Sequence, residues 1–353
     1  MSHPPRSPKL RENVDRFFHG ISALGYPLLS RIGPFRHIER VRDLVFDASI
    51  GDAGKLDVYR PRDATGALPT VFYVHGGAFA LCSKETHQIM GYILASRGYQ
   101  VVMPNYRLGP RHLFPEPFID VARALAWTYE QGVGYGVDPS RVAIAGDSAG
   151  ANLASAITVA CHQPRPEPFA RMLYERELTL RAALPRYGVL DLEDMERFYR
   201  SPERARKMAA WVKRELRWVA TSYVGYPRHL RAKEAPLASP LRLLEAEEPE
   251  GSRKLPPFFI AVGTKDPLLP DSRRLAKALE AKGVPHRLEI YPGELHAFDV
   301  LVHRKFAQAK WSACFEFLEE HLVGKSANTE KQFPIERDAR SASAGRGDVI
   351  DRA

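Results

Sequence analysis

Five residues, Gly146-Asp147-Ser148-Ala149-Gly150, stand between the apolar run Val142-Ala143-Ile144-Ala145 and a helical pattern that continues to Cys161. A buried strand that becomes a helix with no linker needs a sharp turn. The apex side chain is lifted out of the sheet and the flanking backbones crowd together, so residues without a Cβ are favoured on either side. Gly146 and Gly150 occupy those places and Ser148 the apex. Five residues alone are a weak signal, and an ordinary tight turn with a solvated serine competes. The strand–turn–helix setting is what favours an exposed, reactive hydroxyl. The same turn puts the Ala149 amide at a helix N-terminus, where it can donate to an anion.

The rest of the chain predicts a fold that can hold such a turn. Short strand-like runs lie at Arg42–Ala48, Lys55–Tyr59, Val71–Val74, Gln100–Pro104, Arg141–Ala145, Leu180–Tyr187, Phe258–Val262 and His286–Tyr291. Helical patterns occupy Thr86–Arg97, Asp120–Gln131, Ala149–Cys161, Asp271–Lys282 and Arg304–His321. Strands alternating with helices predict an α/β class with a mostly parallel central sheet and helices on both faces. Residues 8–30 read as helix, with Leu10, Val14, Phe17, Ile21 and Leu24 along one face. Residues 163–170 carry three prolines and read as loop. Residues 191–230 break the alternation and read as two helices sharing a face of Trp211, Val212, Leu216, Val219 and Tyr223. The expected division is a helical part of a cap at 1–40, an α/β catalytic body at 41–190 and 231–324, a helical cap insertion at 191–230, and a disordered tail at 325–353.

A chain of 353 residues, 44% hydrophobic and 26% charged, is long enough for one such domain with an insertion. Its net charge of +9 is concentrated: residues 1–40 hold seven basic and three acidic side chains, and residues 191–233 eleven and six. No zinc-finger, RNP-like or basic-zipper pattern accompanies the charge, so nucleic acid is not an expected partner. Weak contact of the basic cap with a membrane surface stands as an alternative to a merely solvated cap. Three scattered cysteines form neither a disulfide framework nor a metal-ligand spacing. No apolar leader follows the first ten residues and no apolar run is long enough to span a bilayer, which predicts a cytoplasmic protein.

A serine hydroxyl needs a base in contact, and the base needs an orienting carboxylate. Asp266 and His296 each follow a predicted strand, on the sheet rim where ligands bind, and in the order Ser, Asp, His. Taken singly they would be a turn aspartate and a loop histidine; together with Ser148 they form a candidate triad. Asp271, at the start of the next helix, reads as an N-cap. His75-Gly76-Gly77-Ala78-Phe79 also follows a strand, and the amides of Gly76, Gly77 and Ala78 are candidates to join Ala149 around a developing oxyanion. A glycine-rich turn is the competing reading there. Phe17, Phe18, Trp211 and Trp218 either line a substrate pocket or only fix the cap to the body.

With these residues placed, the chain resembles the hormone-sensitive lipase family of α/β-hydrolases from about residue 40 to 322. HGGAF at 75–79, YRLGPRHLFPEPFID at 106–120, DPSRVAIAGDSAGANLA at 138–154, GTKDPLLPD at 263–271 and GELHAF at 293–298 are similar to its five motifs in order. The resemblance implies carboxylesterase or lipase chemistry on a small ester, no cofactor and no metal. It also implies a cap made by N-terminal helices and an insertion after the sixth strand. Ala78 replaces a glycine, Cys82 stands where glycine is common, and Arg111 stands where many members have glutamate, which should alter an ion pair near Arg107. Amide or formamide hydrolysis by the same triad, and a receptor that binds without turnover, are the alternatives.

Overall fold

The computed structural model describes residues 33–225 and 235–324. Eight strands form one sheet: β1 Ile38–Val45, β2 Lys55–Pro61, β3 Leu68–Val74, β4 Gln100–Pro104, β5 Val137–Asp147, β6 Ala182–Arg186, β7 Phe258–Gly263 and β8 His286–Tyr291. Their spatial order is β1-β2-β4-β3-β5-β6-β7-β8. The β1/β2 and β2/β4 pairs are antiparallel, and every pair from β4 to β8 is parallel. This is the α/β-hydrolase fold.

Helices α1 Gln88–Ala95, α2 Glu116–Glu130, α3 Ala149–His162, α4 Pro168–Glu175, α5 Pro202–Lys207, α6 Ala210–Val224, α7 Pro240–Glu245, α8 Leu269–Ala281 and α9 Lys305–Leu318 connect or flank the strands. Successive strand side chains point to opposite faces, and the core divides accordingly. Phe72, Val74, Val142, Ile144, Phe258 and Ile260 pack with α2, α3 and α8 on one face. Val71, Tyr73, Ala143, Ala145, Phe259 and Ala261 pack with α1 and α9 on the other.

Several boundaries differ from the sequence expectation for local reasons. The first strand runs Ile38–Val45 rather than 42–48, because Asp47 turns the chain by accepting the Ser49 amide at 3.0 Å and a 3₁₀ turn follows at Ala48–Gly54. The expected 163–170 loop ends at 167, since Pro168 opens α4 in the first turn, where a missing N–H costs nothing. The insertion holds α5 and α6, but its expected shared face is incomplete. Leu216 and Tyr223 are buried and Val212 and Val219 half-buried, whereas Trp211 is 62% exposed. Asp271 does not cap α8; it lies inside the first turn, fully buried, and accepts from the Leu190 amide at 2.8 Å and Arg197 Nε at 2.8 Å. Arg107 keeps its carboxylates without help from residue 111, bonding Asp120 at 2.8 Å and Glu116 at 2.7 Å. The expected helix at 8–30, most of the expected cap part at 1–40, and the tail at 325–353 lie outside the described residues.

The antiparallel edge is fastened by a buried charge cluster. Asp57 on β2 is fully buried, accepts Arg40 Nε at 2.7 Å and the Asp43 amide at 3.0 Å, and pairs with the fully buried Lys84 ammonium at 2.8 Å. Lys84 also reaches Asp43 at 2.7 Å. Removing Asp57 takes from the partly buried Arg40 and the buried Lys84 cations the one carboxylate that both share. Asp57→Ala should therefore lower unfolding stability by about 3–5 kcal/mol, measured by urea denaturation; a loss near zero would mean the edge is held by packing alone.

Candidate active site

Ser148 sits between β5 and α3 with φ 54° and ψ −114°, a conformation that L residues adopt only under constraint. The constraint is the approach of main chains on both sides. A Cβ on Gly146 would lie 2.4 Å from the Gly150 carbonyl oxygen, and one on Gly150 would lie 2.2 Å from the Val74 carbonyl oxygen. Neither glycine is needed for a positive φ; both are needed for space. The Ser148 amide donates to the Arg186 carbonyl at 3.0 Å, which fixes the apex to the end of β6.

Three loops at the C-terminal ends of β5, β7 and β8 bring the candidate triad together. His296 Nε2 lies 3.0 Å from Ser148 Oγ, and His296 Nδ1 lies 2.8 Å from Asp266 Oδ2. A carboxylate can only accept, so Nδ1 carries the proton and Nε2 is left to accept from the hydroxyl. Asp266 is 4% exposed, and its other oxygen takes the Leu268 amide at 2.8 Å. The loops themselves touch: Lys265 N–H donates to the Glu294 carbonyl at 3.0 Å, and a Cβ on Gly263 would meet that same oxygen at 2.1 Å. Burial pulls the imidazole pKa down, but Asp266, with Asp147 and Asp299 adding to it, outweighs burial, and the net shift is upward from the usual imidazole value.

The His75–Ala78 loop leaves β3 at Val74, which is in register with Gly146 of β5. It therefore starts beside the Ser148 turn. The four expected oxyanion donors do not behave alike. Gly76 N–H is already spent: it donates to Asp147 Oδ1 at 3.1 Å, so this residue supports the loop and is not a free donor. Among the described residues the Gly77 and Ala78 amides have no protein acceptor, and Ala149 opens α3, where first-turn amides have none within the helix. Gly77 at φ 120° and Ala78 at φ 56° turn the loop sharply. The loop is stiff: His75 stacks on Tyr106 at 4.3 Å, and Tyr106 O–H donates to the His75 carbonyl at 2.8 Å. Burial, helped by the neighbouring His87, pushes the His75 imidazole down to about 3, so it is neutral here.

Of the expected pocket residues, Phe17 and Phe18 lie outside the described residues, Trp211 faces outward, and Trp218 is half-buried. The contact between insertion and oxyanion loop is made by other residues. Tyr223 of α6 stacks on Phe79 at 3.9 Å and meets Phe114 edge-on at 5.6 Å, while Ser222 Oγ donates to the Ala78 carbonyl at 3.0 Å. From the sequence, Tyr223 is only one of the packing residues on the helical face.

Charged groups that no sequence motif marked lie behind the candidate triad. Asp147 filled a variable place in the pentad, yet it accepts the Tyr73 hydroxyl at 2.7 Å and the Gly76 amide, and its Oδ2 lies 3.4 Å from His87 Nε2. Burial alone would raise its pKa; His87 and Arg186 hold it below the carboxylate range. Arg186, Asp299 and Lys310 are all buried. One signal was available. Lys310 lies among Ala307, Trp311, Cys314 and Phe317, the apolar stripe of α9, where a lone ionisable group needs a partner. Among the described residues no group of three His, Cys, Asp or Glu side chains is arranged as metal ligands, and no helix is long and apolar enough to cross a membrane.

Known proteins resemble this chain in sequence and in fold. Residues 71–300 match the alpha/beta hydrolase fold family. The chain is 32% identical over 310 residues to the probable carboxylic ester hydrolase LipM of Mycobacterium tuberculosis, covering 84% of this chain and 66% of that protein. It is 32% identical over 266 residues to esterase LipQ of the same organism, covering 72% and 57%. The chain thus spans somewhat under two thirds of the length of these relatives. The hyperthermophilic esterase of Pyrobaculum calidifontis superposes with a TM-score of 0.68 at 26% identity, covering 91% of this chain and 93% of that one. The chain belongs to the α/β-hydrolase fold family, in the hormone-sensitive-lipase-like group that its five motifs resemble.

Proposed function

We propose that the protein hydrolyses small carboxylic esters through an acyl-enzyme, with Ser148 as nucleophile, His296 as general base and acid, and Asp266 orienting the imidazole. The observation that carries this reading is the hydroxyl–imidazole–carboxylate line, 3.0 and 2.8 Å long, on the rim of the sheet. The names of LipM, LipQ and the Pyrobaculum enzyme support the choice of esters.

The chemistry follows from the donors and acceptors. His296 Nε2 takes the Ser148 proton as Oγ attacks the ester carbonyl. The negative charge that forms on the carbonyl oxygen is received by the amides of Gly77, Ala78 and Ala149, each worth about 3 kcal/mol at the transition state. The imidazolium, steadied by Asp266, gives its proton to the leaving alcohol. Water repeats the sequence on the acyl-serine, releasing the acid and restoring the hydroxyl. The insertion, joined to the oxyanion loop through Tyr223 and Phe79, would act as a cap that shapes the acyl pocket. Membrane-surface contact through this cap is a second reading, supported by the exposure of Trp211 on the helix that also carries the exposed Arg214 and Arg217.

Ser148→Ala should lower ester turnover by about 10⁴ or more and abolish labelling by a fluorophosphonate. A panel of short- and long-chain nitrophenyl esters beside acyl amides then ranks the substrates; turnover of amides alone would overturn the ester assignment. His296 must be neutral to accept the proton, and its pKa is raised above the ordinary 6.5. The acid limb of the kcat/KM profile is therefore expected above that value, with activity falling as pH drops through it. A profile flat down to pH 5 would exclude His296 as base.

A further inference from the structure

Behind the His296 loop lies a set of buried ionised groups to which the acyl-transfer chemistry assigns no step. Asp299 and Lys310 are fully buried and Arg186 is 2% exposed. Asp299 Oδ2 pairs with the Arg186 guanidinium and with Lys310 Nζ at 2.6 Å, and its Oδ1 accepts the Tyr187 hydroxyl at 2.6 Å. The second amino group of Arg186 donates to the Tyr73 hydroxyl, which donates to Asp147 Oδ1 at 2.7 Å, the oxygen that also takes the Gly76 amide. The main-chain carbonyl of Arg186 accepts the Ser148 amide at 3.0 Å. Arg186 is thus bonded through its backbone to the turn that carries Ser148. Its side chain reaches the residue three places after His296 and, through Tyr73 and Asp147, the oxyanion loop.

Buried ion pairs are a poor way to gain stability, since apolar residues of equal volume do as well or better. A guanidinium fork does something apolar contacts do not: its directional bonds fix the angle and spacing of the groups it joins. We propose that the Arg186–Asp299 pair is a positioning device that locks the loop carrying His296 to the turn carrying Ser148 and so keeps imidazole and hydroxyl in contact. The inference rests on the serine-hydrolase reading above. Tyr187 completes the lock, because its hydroxyl holds Asp299 while its ring meets the His296 ring edge-on at 4.9 Å. The charged groups around the imidazole are Asp266 after β7, Asp147 at the end of β5 and Asp299 on its own loop, with Arg186 and Lys310 behind Asp299. Asp147 and Asp299 both add to the upward shift of the imidazole. Neutralising Asp299 therefore moves that shift down.

The test uses the full chain, a nitrophenyl butyrate assay across pH, and the rate of fluorophosphonate labelling at Ser148. Arg186→Lys and Asp299→Asn should each lower kcat and the labelling rate about tenfold with KM within about twofold, the cost expected of a small misplacement of reacting groups. In Asp299→Asn the acid limb should also move to lower pH, whereas in Arg186→Lys, which keeps the charge, it should stay. A role confined to stability would lower the melting temperature and leave kcat, the labelling rate and the acid limb alone. If Asp299→Asn does not fold, Tyr187→Phe replaces it under the same kcat and labelling criteria. Folded variants that keep kcat and labelling within twofold of wild type overturn the proposal. A wild type that labels but cleaves no ester removes the ester assignment and leaves the labelling rates to decide the positioning role. A wild type that does not label removes both.

Discussion

The close approach of α3 to the end of β3 is the constraint on which the rest of the site depends. With no Cβ at Gly150, the helix start packs onto the Val74 and His75 carbonyls. That contact puts the first free amide of α3 beside the loop that carries Gly77 and Ala78. It also forces Ser148 into a positive φ, which needs bonds elsewhere to hold it. The Arg186 carbonyl supplies one of them. Strain of this kind costs about 1–3 kcal/mol and persists only where surrounding contacts over-determine it. Here those contacts come from two neighbouring strands, β3 and β6, so the apex is set by the sheet.

Three of the buried carboxylates, Asp57, Asp271 and Asp299, each face at least one cation and at least one neutral donor. Asp57 has Lys84, Arg40 and a main-chain amide. Asp271 has Arg197 and the Leu190 amide. Asp299 has Arg186, Lys310 and the Tyr187 hydroxyl. Burial would raise the Asp299 pKa, yet its two cations hold it at about 2. Burial and the like charge of Arg186 bring Lys310 down to about 8. The three clusters differ in location. The first fastens the antiparallel edge, the second ties α8 to the chain after β6, and the third lies directly behind the candidate triad.

The insertion meets the body at a seam of rings, where Phe79 lies flat against Tyr223 and Phe114, Phe118 and Phe169 meet one another at steep angles. Stacked and edge-to-face rings combine large apolar area with preferred orientations. The seam starts at Phe79, one residue beyond Ala78, so two side chains, Phe79 and Tyr223, join the insertion to the candidate oxyanion loop.

The alternation of strands and helices, the Ser148 turn and the Ser–Asp–His order were legible in the sequence because each is local: periodicity, glycine spacing and position after a strand. Asp271 was misread because its helical place suggested a cap, while its partner, Arg197, is distant in sequence. Gly76 was grouped with the free donors because nothing local reveals that Asp147 takes its amide. Trp211 and Tyr223 share a helical pattern, but only packing decides that one faces water and the other a phenylalanine. The chain order and local patterns thus marked Ser148, Asp266 and His296 as the candidate reacting residues. Which amides stay free, which charges stand behind the histidine and which rings bind the insertion to the body were decided by tertiary structure, because contacts between residues 71 to 144 places apart in the chain depend on distances that no local pattern encodes.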